Sequence, residues 1–201
     1  MAEALPKIGI FGGTFDPIHR GHLDLARRAL KQFGLQKVFF VPALIPPHKS
    51  ERRDMTPAPY RFRMVEIAVR GEAQFEVSDI EFSRPDISYT IDTLRSLQKL
   101  YPGSGLYLIL GADSLAEIST WREAGEIVKL AKLLVARRPG SNAKASPYPV
   151  QWIRMPECPL SSSKIRRELG AGGLLPDEIV PQDVQDYIQK MNLYRKTKPC
   201  T

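Results

Sequence analysis

Short, continuous apolar runs alternate with longer stretches of helical period along most of the chain. Lys7 to Phe11, Lys37 to Pro42, Leu106 to Leu110 and Lys132 to Ala136 are such runs, rich in β-branched and long aliphatic side chains. That is the pattern of strands buried on both faces of a parallel sheet. Phe75 to Phe82 alternates apolar with polar and reads as a further strand, and Val150 to Met155 as the last. Between the runs, Leu23, Leu25, Ala26, Ala29 and Leu30 predict a helix from about Gly21 to Phe33, ended by Gly34. Phe62, Met64, Val65, Ile67, Ala68 and Val69 predict one over Tyr60 to Arg70. Ile91, Leu94, Leu97 and Leu100 give one packed face to a helix near Thr90 to Tyr101, stopped by Pro102-Gly103. Trp121 and Arg122 open a helix running to about Leu130, and Pro181 to Leu193 is a final amphipathic helix. Strands alternating with helices throughout predict an α/β fold, a doubly wound, Rossmann-like parallel sheet flanked by helices, in a single domain over residues 1–201.

Composition narrows the class without choosing a function. At 201 residues, 43% hydrophobic and 25% charged, the chain is an ordinary globular domain with a sizeable core. No apolar run is long enough to cross a bilayer, and Met1 to Pro6 leads into the first strand without a signal pattern. Cys158 and Cys200 form no CxxC, which suits a reducing cytoplasm. The formal charge of +7 implies attraction to anions. The basic residues are scattered, with no interleaved basic and aromatic stripe, so small phosphorylated substrates are expected as partners rather than nucleic acid or membrane.

The chemistry-bearing residues fall on loops that follow predicted strands. Gly12-Gly13 is a turn at the end of the first strand, and His19 and His22 flank the start of the next helix, where amides and the macrodipole favour phosphate. Neither GxGxxG nor GxxxxGK[ST] occurs, and the histidine pair lacks a partner at zinc-type spacing, so no metal site is expected. Pro46-Pro47 holds His48 and Lys49 on a stiff loop past the second strand. Gly111-Ala112-Asp113 is a second glycine turn, with a carboxylate placed to accept ribose hydroxyls or to cap a helix. Arg137-Arg138 ends another strand, and Ser161-Ser162-Ser163-Lys164-Ile165-Arg166 is a capped helix start that doubles as a second phosphate cradle. Each has an ordinary structural reading. Their gathering on one edge of a sheet favours phosphoryl or nucleotidyl transfer, carried by positioning and charge stabilisation rather than by a covalent nucleophile.

The pairing of Gly12-Gly13-Thr14-Phe15-Asp16-Pro17 and His19-Arg20-Gly21-His22 with Ser161-Ser162-Ser163-Lys164-Ile165-Arg166 resembles the HxGH and (I)SSTxIR motifs of the nucleotidyltransferase superfamily. Pro46-Pro47-His48-Lys49, Ser88-Tyr89-Thr90, Gly111 to Leu115, Trp121 and Ala136 to Gly140 are similar to stretches of the bacterial nicotinate-nucleotide adenylyltransferases. Leu160 stands for the usual isoleucine and Ser163 for the usual threonine, and neither change removes a backbone donor or a hydroxyl. The resemblance implies adenylyl transfer from ATP to nicotinate mononucleotide, giving deamido-NAD and pyrophosphate in NAD biosynthesis, with Mg²⁺ accompanying ATP. It implies that Gly12, Gly13, Thr14 and Phe15 hold the α-phosphate region, that His19 and His22 stabilise charge on the phosphates, and that Ser162, Ser163 and Arg166 hold the β- and γ-phosphates. Gly111 and Asp113 would meet the adenosine, with Asp113 on its ribose. Lys49 would approach the mononucleotide phosphate, making His19, His22, Lys49 and Arg166 the catalytic set. Trp121 would stack on the pyridine, and Thr90, Arg122 and Arg138 would surround the nicotinate carboxylate in a positive, donor-only site.

Two other readings fit parts of the pattern. Pantetheine-phosphate adenylyltransferase resembles the chain at the two phosphate motifs, but the Pro-Pro-His-Lys, Ser-Tyr-Thr, Trp121 and Arg-Arg-Pro-Gly stretches argue against it. A basic nucleotide- or nucleic-acid-binding module without turnover is expected to show damaged phosphate motifs, and both are intact here.

Overall fold

The computed structural model describes residues 5–47, 55–84, 86–136, 146–156, 160–173 and 175–195. Six strands, β1 (Lys7–Gly13), β2 (Lys37–Pro42), β3 (Phe75–Val77), β4 (Gly105–Gly111), β5 (Ala131–Ala136) and β6 (Val150–Ile153), form one sheet in the order β3-β2-β1-β4-β5-β6. Every neighbouring pair is parallel. The order reverses between β1 and β4, whose C-terminal ends carry Gly12-Gly13 and Gly111, and a Rossmann-like sheet opens its ligand crevice at that reversal.

Alternation along the strands builds two cores on the one sheet. Ile8 and Ile10 of β1, Phe39 and Val41 of β2, and Leu106, Leu108 and Leu110 of β4 face one side. They are covered by α3 (Thr90–Leu100), the short α4 (Ala112–Glu117) and α5 (Ala124–Leu130). Phe11, Val38, Phe40, Tyr107, Ile109 and Leu134 face the other. There lie α1 (Arg20–Phe33), α2 (Ala58–Val69), α6 (Ser162–Gly170) and α7 (Gln182–Lys190). Gly9 keeps that second layer tight: a Cβ there would lie 2.9 Å from Leu35 Cδ1.

The expected elements are present, with differences at their ends. Gly12-Gly13, expected as a turn, is the paired end of β1, and the last strand and last helix stop at Ile153 and Lys190 rather than at Met155 and Leu193. The third strand stops at Val77 instead of Phe82, because Ser78 and Asp79 turn the chain: Ile80 N–H donates to Ser78 Oγ and Phe82 N–H to Asp79 O. Gly111 does more than turn, since it caps α4, which is followed by a 3-10 turn over Ile118–Thr120. Trp121 is therefore extended and Glu123 sits at φ 53°, so α5 begins at Ala124 and neither Trp121 nor Arg122 opens it. Leu100 is 64% exposed although Leu97 is buried. Steps of three residues each fall about 60° short of a full turn, so the stripe begun at Ile91 has rotated off the core by Leu100.

One side chain fixes the loops at the crevice. Arg61, on α2, is fully buried and donates to Thr56 O (2.8 Å), Thr14 O (2.7 Å), Ala43 O (2.7 Å) and Leu44 O (3.2 Å). Burial pushes its guanidinium below the usual range, opposed by the charge of Asp16. Helical periodicity on α2 put the apolar residues inside and gave no sign of this arginine. Replacing it leaves several buried carbonyls without donors, each costing about 1–3 kcal/mol. Arg61→Met is expected to lose about 3 kcal/mol or more of unfolding free energy in urea denaturation. Arg61→Lys should recover only part, since an ammonium cannot reproduce the planar fork.

Candidate active site

Gly12 and Gly13, which end β1 as strand residues paired with Val41 and Pro42, meet the α1 start and the α6 start at the C-terminal edge of the sheet. Phe15 adopts φ 48°, in the left-handed region that few bulky residues occupy, and is held there by packing. Its ring lies edge-on to Phe11 (centroids 5.5 Å) and to His22 (5.2 Å). His19 is the N-cap residue of α1 and stacks on His22, with centroids 3.7 Å apart and planes at 25°. The His19 N–H donates to His22 Nδ1 at 3.2 Å. A neutral His22 must then carry its proton on Nε2, which makes that nitrogen a donor. His19 is 5% exposed and His22 is partly open, and both line the cleft.

The α1 end offers an anion less backbone than expected. Its Arg20 N–H donates to Ile179 O at 2.9 Å and its His22 N–H to His19 O. Two of the amides at the α1 start are therefore already engaged within the protein. At α6, the Ser161 hydroxyl accepts from Lys164 N–H, the expected cap. The Ser162 hydroxyl donates to Pro17 O (3.0 Å), tying α6 to the glycine loop. Arg166 lies across the gap, with Nη1 donating to Asp16 O (2.6 Å) and Nη2 to Ser163 Oγ (3.3 Å).

These parts surround a cleft of about 360 Å³ lined by Gly12, His19, His22, Asp113, Ser163 and Arg166 among others. It shares Gly12, Gly13, Thr14, Gly111 and Asp113 with a second cleft of about 400 Å³ that reaches Thr90 and Trp121. Beyond lies a recess of about 100 Å³ between Thr90, Trp121 and Arg122. Predicted phosphate and pyridine ends thus form one trough across β1 and β4. Lys49, with its neighbour His48, and Arg138, with Arg137, lie outside the described residues.

Two features of the far end were not foreseen. Arg122 is 3.6 Å from Asp92 and 3.8 Å from Glu123, and its guanidinium lies 4.9 Å from the Tyr89 ring centroid, so its charge is already shared. Glu81 lines the second cleft, so that end is not donor-only. It is 6% exposed, its Oε1 accepting from Thr93 Oγ1 at 2.6 Å while Arg84 Nη2 donates to the same hydroxyl at 3.0 Å. In sequence Glu81 is a charged residue between Ile80 and Phe82, and nothing in that local pattern marks it as buried.

The parallel sheet, its reversal point and the two phosphate-facing motifs define a nucleotidyltransferase of the cytidylyltransferase-like class, whose family model matches residues 10–168. The chain belongs, within that class, to the nicotinate-nucleotide adenylyltransferase family. It is 46% identical over 192 residues to a Solibacter usitatus protein named "Probable nicotinate-nucleotide adenylyltransferase", covering 94% of this chain and 99% of that one. A Thermus thermophilus protein of the same name is 42% identical over 189 residues, covering 94% of this chain and all of its own, 100%. Among solved structures, Plasmodium falciparum nicotinic acid mononucleotide adenylyltransferase complexed with NaAD shares the fold, with a TM-score of 0.79 at 24% identity over 94% of this chain and 97% of that one.

Burial raises the Glu81 carboxyl above its usual value, against the Thr93 and Ser88 hydroxyls, the Arg84 charge and the Leu44 amide, which lower it. A folded value above the unfolded one means that the folded state holds this proton more tightly. The associated stability is present below pH 4.5 and is lost as pH rises through the folded value. Melting temperatures of the parent and Glu81→Gln measured from pH 4 to 8 should therefore diverge, the parent losing ground to the variant as pH rises. Parallel curves would show the carboxyl to be unperturbed.

Proposed function

We infer that this chain transfers AMP from ATP to nicotinate mononucleotide, releasing pyrophosphate and forming deamido-NAD. The observation that carries the reading is the stacked His19–His22 pair, which lines a cleft together with Ser163 and Arg166, the cleft continuing past Gly12, Gly111 and Asp113 into a second one that reaches Trp121. An oxygen of the mononucleotide phosphate attacks the α-phosphorus of ATP, the α–β phosphoanhydride bond breaks, and its electron pair leaves on pyrophosphate. No protein nucleophile is required, so positioning and charge stabilisation account for the rate.

His22 Nε2–H donates to the α-phosphate oxygens as charge builds there, with His19 beside it. The Gly12 to Phe15 backbone seats the α-phosphate region, and Ser162, Ser163 and Arg166 hold the departing β- and γ-phosphates. Gly111 and Asp113 meet the adenosine, Asp113 accepting from its ribose hydroxyls. Lys49 neutralises the attacking phosphate. Trp121 stacks on the pyridine ring, while amides at Thr90 and Arg122, with Arg138, receive the nicotinate carboxylate. Mg²⁺ enters as part of the ATP substrate: the phosphate-facing donors are imidazole, guanidinium, hydroxyl and amide groups, suited to phosphate oxygens rather than to a resident hard cation. Two cysteines without a CxxC pattern and nucleotide substrates support a cytoplasmic setting for the reaction.

Pyrophosphate release from ATP and Mg²⁺, with nicotinate mononucleotide, nicotinamide mononucleotide and phosphopantetheine supplied separately, tests the assignment. Release should be fastest with nicotinate mononucleotide. Equal rates with the nicotinamide compound would remove the carboxylate preference, and release only with phosphopantetheine would overturn the second substrate. His22→Ala should lower kcat by about 10²-fold or more while leaving the melting temperature nearly unchanged, because the lost contact belongs to the transition state. A large drop in melting temperature would make His22 a packing residue instead.

A further inference from the structure

We infer that Tyr194, close to the C-terminal end of the described chain, is a positioning residue for the triphosphate end of the cleft, acting through Asp16 on Arg166. Its phenol donates to Asp16 Oδ1 at 2.7 Å. Asp16 is 4% exposed and joins parts of the chain that are remote in sequence: Thr56 N–H points at Oδ2 from 3.4 Å, and Arg166 Nη1 donates to its main-chain oxygen at 2.6 Å while lying 3.9 Å from Oδ2. Burial and the neighbouring carboxylate push the Tyr194 phenol far above its usual range, so it remains a donor throughout working pH.

The turn that carries Tyr194 is built for this contact. Tyr194 itself lies at φ 66° and Asn192 at φ 51°. The Tyr194 main-chain oxygen packs against Gly170 at the end of α6, where a Cβ would come within 3.1 Å of it. The same residue therefore seats one end of α6 directly and the Arg166 side chain through Asp16. A buried carboxylate draws in whatever donors surround it. With the phenol in place, Oδ1 is satisfied and the Arg166 fork stays spread between Asp16 O and Ser163 Oγ, at the rim of the cleft. Without it, the nearest cation is Arg166, and the guanidinium is pulled inward from its place on the phosphates.

This inference rests on the assignment of Arg166 to ATP, and the experiment separates the two. ATP affinity is measured without a second substrate, and KM for each substrate in turnover, for Tyr194→Phe, Arg166→Lys and Tyr187→Phe. Tyr187 is a tyrosine of α7, packed on the same core as Tyr194. Loss of the phenol should weaken ATP binding and raise its KM about five- to thirtyfold. KM for nicotinate mononucleotide should stay within about twofold, and Tyr187→Phe should match the parent. A Tyr194→Phe protein that binds ATP as the parent does, while Arg166→Lys is impaired, overturns the positioning role alone. So does an equal rise in both KM values, which a general loosening of the fold produces. An Arg166→Lys protein with undiminished ATP affinity overturns the role of Arg166 and this inference with it.

Discussion

The crevice depends on the satisfaction of loop carbonyls that no sheet or helix can reach. Where β1 and β2 end, the chain leaves regular structure, and Thr14, Ala43 and Leu44 turn their oxygens inward, away from water. Arg61 meets all of them, and Thr56, from a single position on α2. A hydrophobic residue there would pack as well against the core, but the loops would have to open to hydrate their carbonyls. The two loops that bound the phosphate and pyridine ends of the trough are thus held by one rigid, planar donor. The desolvation of its charge, felt as a lowered pKa, is offset by Asp16 and the other acidic groups nearby.

The same economy links the two ends of the chain. Asp16 lies just past the Gly12-Gly13 end of β1, Arg166 belongs to α6 and Tyr194 to the last described turn, yet their polar atoms meet around one carboxylate. The Ile179 carbonyl takes the Arg20 N–H at the start of α1, and Ser162 grips Pro17 O. The C-terminal segment therefore completes the end of the cleft lined by His19, Ser163 and Arg166, which the sheet alone leaves open.

Much of this was legible in the sequence because it is written in period and punctuation. Lys37 to Pro42 is a strand with the expected bounds, Gly34 adopts the left-handed cap at φ 61°, and Ser161 caps α6. His19, His22, Asp113, Ser163 and Arg166 share one cleft because each follows a strand end or starts a helix at the same edge. Arg61, Glu81 and Tyr194 were illegible for a common reason. Their burial is decided by partners as far as 178 residues away or by a turn that breaks strand alternation, and local pattern scores a charged or phenolic residue as exposed. The end of the stripe at Leu100 was misjudged by the opposite error, a local spacing extended one step too far.

The far end of the trough bears on how a carboxylate would be told from a carboxamide there. A free cation would favour the acid by charge alone, and its advantage would fade with salt. Arg122 is not such a cation, being shared among Asp92, Glu123 and the Tyr89 ring, while Glu81 brings a buried carboxyl group to the same cleft. Discrimination would then fall on directed donors: if, as proposed, the amides around Thr90 and at Arg122 receive the acid, they would satisfy two acceptor oxygens and leave an amide NH₂ facing other donors. A site of that kind would reject the carboxamide by an unpaired polar group rather than by attraction, and Glu81 bonds Thr93 in the first turns of the helix that Thr90 begins.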